Sequence, residues 1–264
     1  MAIIHHQANS KYTIGADPEI FLVDVRGKFI SAVGKFGGTK EAPIPLGNFY
    51  GLHVQEDNVA VEFNTLPVQS AQAFQGSIQY ALQILTEKAT KLELKLAIVP
   101  SAEFPDEELQ TPQAKTFGCD PDFNVWTLKT NPRPKTTNKN LRSAGGHIHI
   151  GYIKDRIGLG RACDLFLGIP SLLFDPDKNR RLLYGKAGCI RQKTYGIEYR
   201  TLSNFWLKSK ELTNMVWNQT MQAIKFIEDG KTIPNDDCHK IIKAINNSDA
   251  SVVPELTEKY GLQY

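Results

Sequence analysis

The chain has 264 residues, 41% hydrophobic and 22% charged, with a formal net charge of +3. That length can bury one sizeable core, no apolar run approaches the ~20 residues that span a bilayer, and so small a positive balance does not by itself argue for nucleic acid, which is not expected as a partner. The four cysteines (Cys119, Cys163, Cys189, Cys238) are far apart and form no C-x-x-C, so reduced thiols are expected and not a disulfide framework or a zinc knuckle. MAIIHHQANSKY lacks a basic segment followed by a long apolar one, so no signal peptide is read and a cytoplasmic location is expected.

In chain order, residues 19–25 and 29–33 read as two strands joined at Arg26-Gly27 in a hairpin. Residues 34–51, rich in glycine and proline, are too broken for a regular element. Residues 52–64 read as one or two strands with a turn near Asp57-Asn58. Ala71, Phe74, Ile78, Leu82, Leu85, Ala89 and Leu92 repeat at helical spacing, which predicts a helix over 70–92 with Ser70 as its N-cap. LKLAIV, 94–99, reads as a strand. Residues 128–143 carry five basic residues, no acid and two prolines, and read as a long solvated loop. A strand over 145–153 follows, then a helix over 159–174 stopped or kinked near Pro170, a short helix over 177–183, and a strand over 195–202. Ser209 and Gly230 bracket a helix over 210–229, and two short helices fill the last thirty residues. Strands and helices interleave without a β-α-β rhythm, and no repeat or linker divides the chain, so a single α+β domain over 1–264 is expected.

Four of these stretches obey one spacing rule. Asp17 and Glu19 in GADPEIFLVD, Glu62 and Asn64 in NVAVEFN, His147 and His149 in AGGHIHIGY, and Glu198 and Arg200 in YGIEYRTL each stand at i and i+2. Side chains of a strand alternate faces with period 2, so each pair shares a face while Val61, Phe63, Ile148 and Ile150 take the other. Singly, each motif has an ordinary explanation: a turn before a strand, a solvated strand face, a surface ion pair. Together they suggest a sheet whose polar face is an active site. If Asp17, Glu19, Glu56, Glu62 and Glu198 converge, they need cations between them, and oxygen ligands suit Mg²⁺ or Mn²⁺. One histidine among many carboxylates does not make a zinc hydrolase site, which usually uses two or three imidazoles. Arg200 would aim a guanidinium at the same cavity, and metals with arginine facing an anion are the parts of phosphoryl transfer. Gly145 and Gly146 permit close backbone approach beside the H-x-H strand. His5, His6, His53 and His239 have no such context.

In this order the motifs resemble the carboxylate–amine ligase superfamily of glutamine synthetase and the glutamate–cysteine ligases, and most of all its phage phiEco32-like COOH·NH2 ligase type 2 branch. The resemblance covers residues 15 to about 206. It implies a glutamine synthetase-like catalytic domain, with a mainly antiparallel curved sheet and helices on its convex side. It implies an ATP- and Mg²⁺-dependent enzyme that joins a carboxylate to an amine through an acyl phosphate. Glu19, Glu56 and Glu62 would hold the metal nearer the acceptor carboxylate. Asp17, His147 and Glu198 would hold the metal nearer the ATP phosphates. Arg200 would contact the transferring phosphoryl group, Arg191 the ATP phosphates, and His149 would lie near the nucleotide; Lys40, in GKFGGTKEAP, could reach an anionic substrate. The small-molecule or peptide acid and the amine are not specified. The alternatives are a phosphotransferase of related fold, which stops at the phosphorylated acceptor, and a non-catalytic phage-associated binding protein.

Overall fold

The structure is a computed structural model that describes residues 10–48, 51–116, 121–134 and 136–264. His5, His6 and Cys119 lie outside the described residues; Cys163, Cys189 and Cys238 are free thiols. The framework is an antiparallel sheet built around β1 (Ile14–Val23). Next come the hairpin strands β2 (His53–Asp57) and β3 (Ala60–Asn64), then β4 (Gly146–Ile150), and finally the hairpin β5 (Cys189–Lys193) and β6 (Gly196–Tyr199). Their order across the sheet is β2-β3-β1-β4-β6-β5, with short strands extending both edges. The four strands that carry the i, i+2 pairs are therefore consecutive neighbours: β3, β1, β4 and β6.

The sequence explains the alternation. Ile14, Ala16, Ile20 and Leu22 of β1, Val61 and Phe63 of β3, Ile148 and Ile150 of β4, and Ile197 and Tyr199 of β6 all face one side and are buried. Burial of each large apolar side chain contributes ~1.5–3 kcal/mol relative to exposure. Long helices cover this side. Helix α1 (Ala71–Lys91) is capped by Ser70, whose hydroxyl accepts from the Ala73 N–H, and it buries Phe74, Ile78 and Leu85. Helix α2 (Arg156–Cys163) runs into a wide π-type turn over Asp164–Gly168. Helix α3 (Lys178–Leu183) is capped by Asp177. Helix α4 (Lys210–Glu228) is capped by Ser209 and packs on α1 and α2. Helices α5 (Asn235–Asn247) and α6 (Val253–Tyr260) end the chain. No helix among the described residues is long and apolar enough to cross a membrane.

Most predicted elements are present at shifted boundaries. Strand β1 begins at Ile14 and passes through Pro18. Proline is tolerated there because Pro18 is the last residue paired with β4, and pairing with β3 starts at Glu19. The expected hairpin forms, with Leu22 and Val23 facing Ile30 and Phe29. The basic stretch expected as one loop contains two short strands, Lys129–Thr130 and Leu141–Ser143. The helix expected over 159–174 starts earlier and is broken by the π-type turn before Pro170 is reached.

Candidate active site

The strand register fixes which side chains meet on the open face. Asp17 stands opposite His147, Glu19 opposite Glu62, His149 opposite Glu198, Glu198 opposite Arg191, and Glu62 opposite Gln55. One cavity of about 180 Å³ is lined by Asp17, Glu19, Glu62, His147, Glu198 and Arg200, with Lys40, Arg191, Lys193, Gln55, Asp57 and Asn64 completing its wall.

Two carboxylate-rich groups lie side by side in this region. Glu19, Asp57 and Glu62 each offer an oxygen, all within 4.8 Å of one another. Asp17, His149 and Glu198 do the same, again within 4.8 Å. The Nε2 of His149 is 2.9 Å from Asp17 Oδ2, and the Nδ1 of His147 is 3.4 Å from Asp17 Oδ1 and 3.8 Å from Glu198 Oε1. The Oδ1 of Asp17 is buried and accepts no well-formed hydrogen bond. A buried carboxylate oxygen in that condition, among other acids, fits a cation ligand.

The charges are unequal across the cavity. Burial raises the Glu62 carboxyl well above the ordinary range, and Asp17, Glu19 and Asp57 push it further. Burial also raises Glu19, partly opposed by His147 and by the Gly145 N–H that donates to its Oε2 at 2.7 Å. Asp17 moves the opposite way: burial would raise it, but the charge of His149 and the close approach of both imidazoles hold it well below the carboxylate range. Glu198 is also desolvated and repelled by Asp17, yet Arg200, His147 and Arg191 bring it down to about 2. One end thus crowds acids whose carboxyls are pushed upward, and the other sets acids among cations that pull them down. A divalent cation between Glu19, Asp57 and Glu62 would offset the acid–acid repulsion that adds to burial in the first shift.

Arg200 is buried at the cationic end. Its Nε is 2.6 Å from Asp122 Oδ1 and its Nη1 contacts Glu198. Arg191 Nη1 lies 3.3 Å from Glu198 Oε1 and Lys193 Nζ 3.0 Å from Glu198 Oε2. Lys40 is exposed at the wall of the cavity. The glycines have the expected use. An added Cβ on Gly145 would lie 2.2 Å from His147 Nε2, and one on Gly146 would lie 2.2 Å from Ser203 O.

The placement of Glu56 differs from the expectation. In β2 it pairs with Val61 and so faces away from Glu62, whereas Gln55 and Asp57 share the face of Glu62. The Glu56 carboxylate instead accepts from the backbone N–H groups of Gly34, Phe36 and Gly37 at 2.8, 2.7 and 2.6 Å, which shapes the glycine-rich loop. Asp57 stands with Glu19 and Glu62. In the second group His149 stands with Asp17 and Glu198, while His147 adjoins both acids and comes within 3.5 Å of Arg200 Nη1. Asp122 and Lys193 were not foreseen. Lys193 follows from Arg191 by strand parity once the β5–β6 hairpin is placed. Asp122 reaches Arg200 from a distant loop and leaves no local signal.

Residues 139–244 match the family described as phage phiEco32-like COOH.NH2 ligase-type 2. That segment carries His147, His149, Arg191, Glu198 and Arg200; Asp17, Glu19, Asp57 and Glu62 precede it. No curated protein matches the sequence. Similar solved structures include apo GmaS without ligand, at 12% identity and a TM-score of 0.45 over 95% of this chain and 68% of that one. A GmaS/ADP complex aligns at 10% identity and a TM-score of 0.43, over 96% of this chain and 70% of that one. A structure described as a novel glutamine synthase homolog aligns at 14% identity and a TM-score of 0.43, over 94% of this chain and 65% of that one.

Proposed function

We propose that the protein is an ATP- and Mg²⁺-dependent carboxylate–amine ligase that works through an acyl phosphate. The observation that carries this reading is the pairing of two carboxylate-rich groups, Glu19/Asp57/Glu62 and Asp17/His149/Glu198, with a buried guanidinium around one cavity, which all of these residues but His149 line. The family match over residues 139–244 supplies the reaction class.

Mg²⁺ or Mn²⁺, held by Glu19, Asp57 and Glu62 and by Asp17, His149 and Glu198, would screen the phosphates and polarise the transferring group. The remaining work belongs to the chain. Arg200, held at Nε by Asp122 and at Nη1 by Glu198, lines the cavity, and a guanidinium so fixed would stabilise charge that develops in phosphoryl transfer without reorganising. Arg191 and Lys193 add positive potential on the same side, where a triphosphate belongs. Lys40 at the wall draws in an anionic acid. The carboxylate of that acid takes the γ-phosphoryl group from ATP and releases ADP; the amine then attacks the acyl carbon, phosphate leaves, and an amide remains. Holding acid, amine and ATP in one pocket is the main catalytic device of such a site.

Two measurements test the reading. Calorimetry with ATP, in chelator and in excess Mg²⁺, should give binding only with the cation, because the acid-rich wall repels a bare triphosphate. Incubation of Mg-ATP with a panel of carboxylic acids and hydroxylamine should give ADP, phosphate and a hydroxamate, since hydroxylamine traps an acyl phosphate. Metal-independent ATP binding, or a stable phosphorylated acceptor that hydroxylamine does not consume, would sink the ligase reading.

A further inference from the structure

Arg180 is fully buried on α3 and points away from solvent into the wall beside the site. It makes four hydrogen bonds to backbone carbonyls from two chain segments. Nε donates to Ala144 O at 3.0 Å, Nη1 to Thr201 O at 2.8 Å, and Nη2 to Arg200 O at 3.2 Å and Leu202 O at 2.7 Å. The first segment leads into β4, and the second leaves β6.

Each segment bears directly on a group in the cavity. Ala144 precedes Gly145, whose N–H donates to Glu19 Oε2 at 2.7 Å and whose carbonyl accepts from the Glu19 N–H at 2.9 Å. Leu202 O also accepts from the Gly146 N–H at 3.0 Å, so one carbonyl joins both segments and the guanidinium. Arg200 begins the second segment. The fork is held in turn: Asp177 caps the helix under Arg180, and an added Cβ on Gly185 would lie 1.6 Å from Arg180 Nη1. Gly185 also has φ +76°, a conformation that suits glycine.

We propose that Arg180 is a positioning residue that sets Glu19 and Arg200 relative to one another by tying together the backbone segments behind them. This rests on the ligase reading above, in which Glu19 faces a metal. A guanidinium can serve four carbonyls from one plane, whereas an ammonium has three donors at a single point. Partners of this kind, one step behind a metal ligand, typically cost 10–100-fold in metal affinity when changed.

Arg181 supplies the control. It is equally buried, but its hydrogen bonds go to Thr201 O, Gly185 O and Ser171 Oγ and not to the carbonyl of Ala144. Mn²⁺ is titrated by electron paramagnetic resonance into the wild type, Arg180→Lys and Arg181→Lys, with thermal melts of each. Arg180→Lys should bind Mn²⁺ about 10–100-fold more weakly and show an altered bound spectrum. Arg181→Lys should lose comparable thermal stability and stay within about 3-fold of wild-type affinity, because its contacts do not reach Glu19. If Arg180→Lys does not fold, Gly185→Ala decides: it keeps the charge, displaces the guanidinium, and should weaken Mn²⁺ in the same way. Wild-type Mn²⁺ affinity in Arg180→Lys, or equal losses in the two arginine variants, would overturn the assignment. A wild type that binds no Mn²⁺ would instead overturn the metal reading, and this assignment with it.

Discussion

Glu62→Gln separates a metal-binding acid from a merely buried one. Glu62 is buried beside Glu19 and Asp57, and its carboxyl is held well above the ordinary range by burial and by its acidic neighbours. Its folded-state pKa therefore exceeds its unfolded value, and ionising it works against the fold. Wild-type stability from this group is complete below the unfolded pKa of ~4.3 and is lost as pH rises toward the folded value. Glutamine mimics the protonated form, so the metal-free variant should match the wild type near pH 4 and become the more stable of the two as pH rises. Cation binding reverses the ranking. A site filled at 100-fold excess over Kd adds ~2.7 kcal/mol, and at about 2–4 °C per kcal/mol for a chain of this size each site should raise Tm by about 5–10 °C. Melts at pH 7.5 with and without 5 mM MnCl2 should show that shift in the wild type, and Glu62→Gln should lack the share due to the Glu19/Asp57/Glu62 group. Calorimetry in two buffers of different ionisation enthalpy should detect protons released as Mn²⁺ displaces them from that group. An unchanged Mn²⁺ response in Glu62→Gln would refute the reasoning, as would a metal-free variant less stable than the wild type at pH 7.5.

Arg200→Lys keeps the charge but loses the fork between Asp122 and Glu198; kcat for hydroxamate formation should fall on the order of 10²–10³ with ATP binding little changed, and a folded variant with near-wild-type kcat would remove Arg200 from the site. Asp164, beneath the sheet, accepts from Trp126 Nε1 at 2.6 Å and Tyr199 Oη at 2.8 Å, and burial raises it to about 6 despite these bonds. Because that folded value lies above the unfolded one, the stability advantage of wild type over Asp164→Asn should be largest near pH 4 and shrink by ~3 kcal/mol as pH rises through 6, as measured by urea unfolding; a pH-independent difference would contradict it. Gly146→Ala would bring a methyl within 2.2 Å of Ser203 O and 2.4 Å of Trp206 Nε1; the overpacking should cost ~1–3 kcal/mol, seen as a lower Tm, and an unchanged Tm would show that the backbone gives way there.

Much of the site was legible because β-strand parity is a rigid rule. Asp17/Glu19, His147/His149 and Glu198/Arg200 could be assigned to one face each from sequence, since burial of Ile148, Ile150 and Ile197 fixes the opposite face. That the strands would be neighbours was not legible from parity; it came from the family resemblance in motif order. Glu56 shows the limit. Placing the turn near Asp57-Asn58 leaves the face of Glu56 open, because a one-residue change in the turn reverses every side chain before it. The actual two-residue turn, Asn58-Val59, has Asn58 at φ 53° and pairs Asp57 with Ala60 and Gln55 with Glu62. With that turn, only odd-numbered residues of β2 can face Glu62, and Asp57 replaces Glu56.

The residues that escaped sequence reading share a different cause. Asp122 and Arg180 act from outside the four motif strands, on Arg200 and on the backbone behind it, through contacts that join distant parts of the chain. A guanidinium aimed at a phosphoryl group needs fixed partners, because an unheld arginine would spend its charge on the nearest acid of a crowded site. Here Glu198 is that nearest acid, and it is shared among Arg200, Arg191 and Lys193. Sharing leaves each cation less than fully neutralised and keeps Glu198 ionised. The same Glu198 faces His149 and Asp17, where a metal would draw on it from the other side. The glutamate of the E-x-R motif thus stands between the cations and the acids of the cavity. Its charge reaches both halves of the candidate site, because β6 lies between β4, which carries His149, and β5, which carries Arg191 and Lys193.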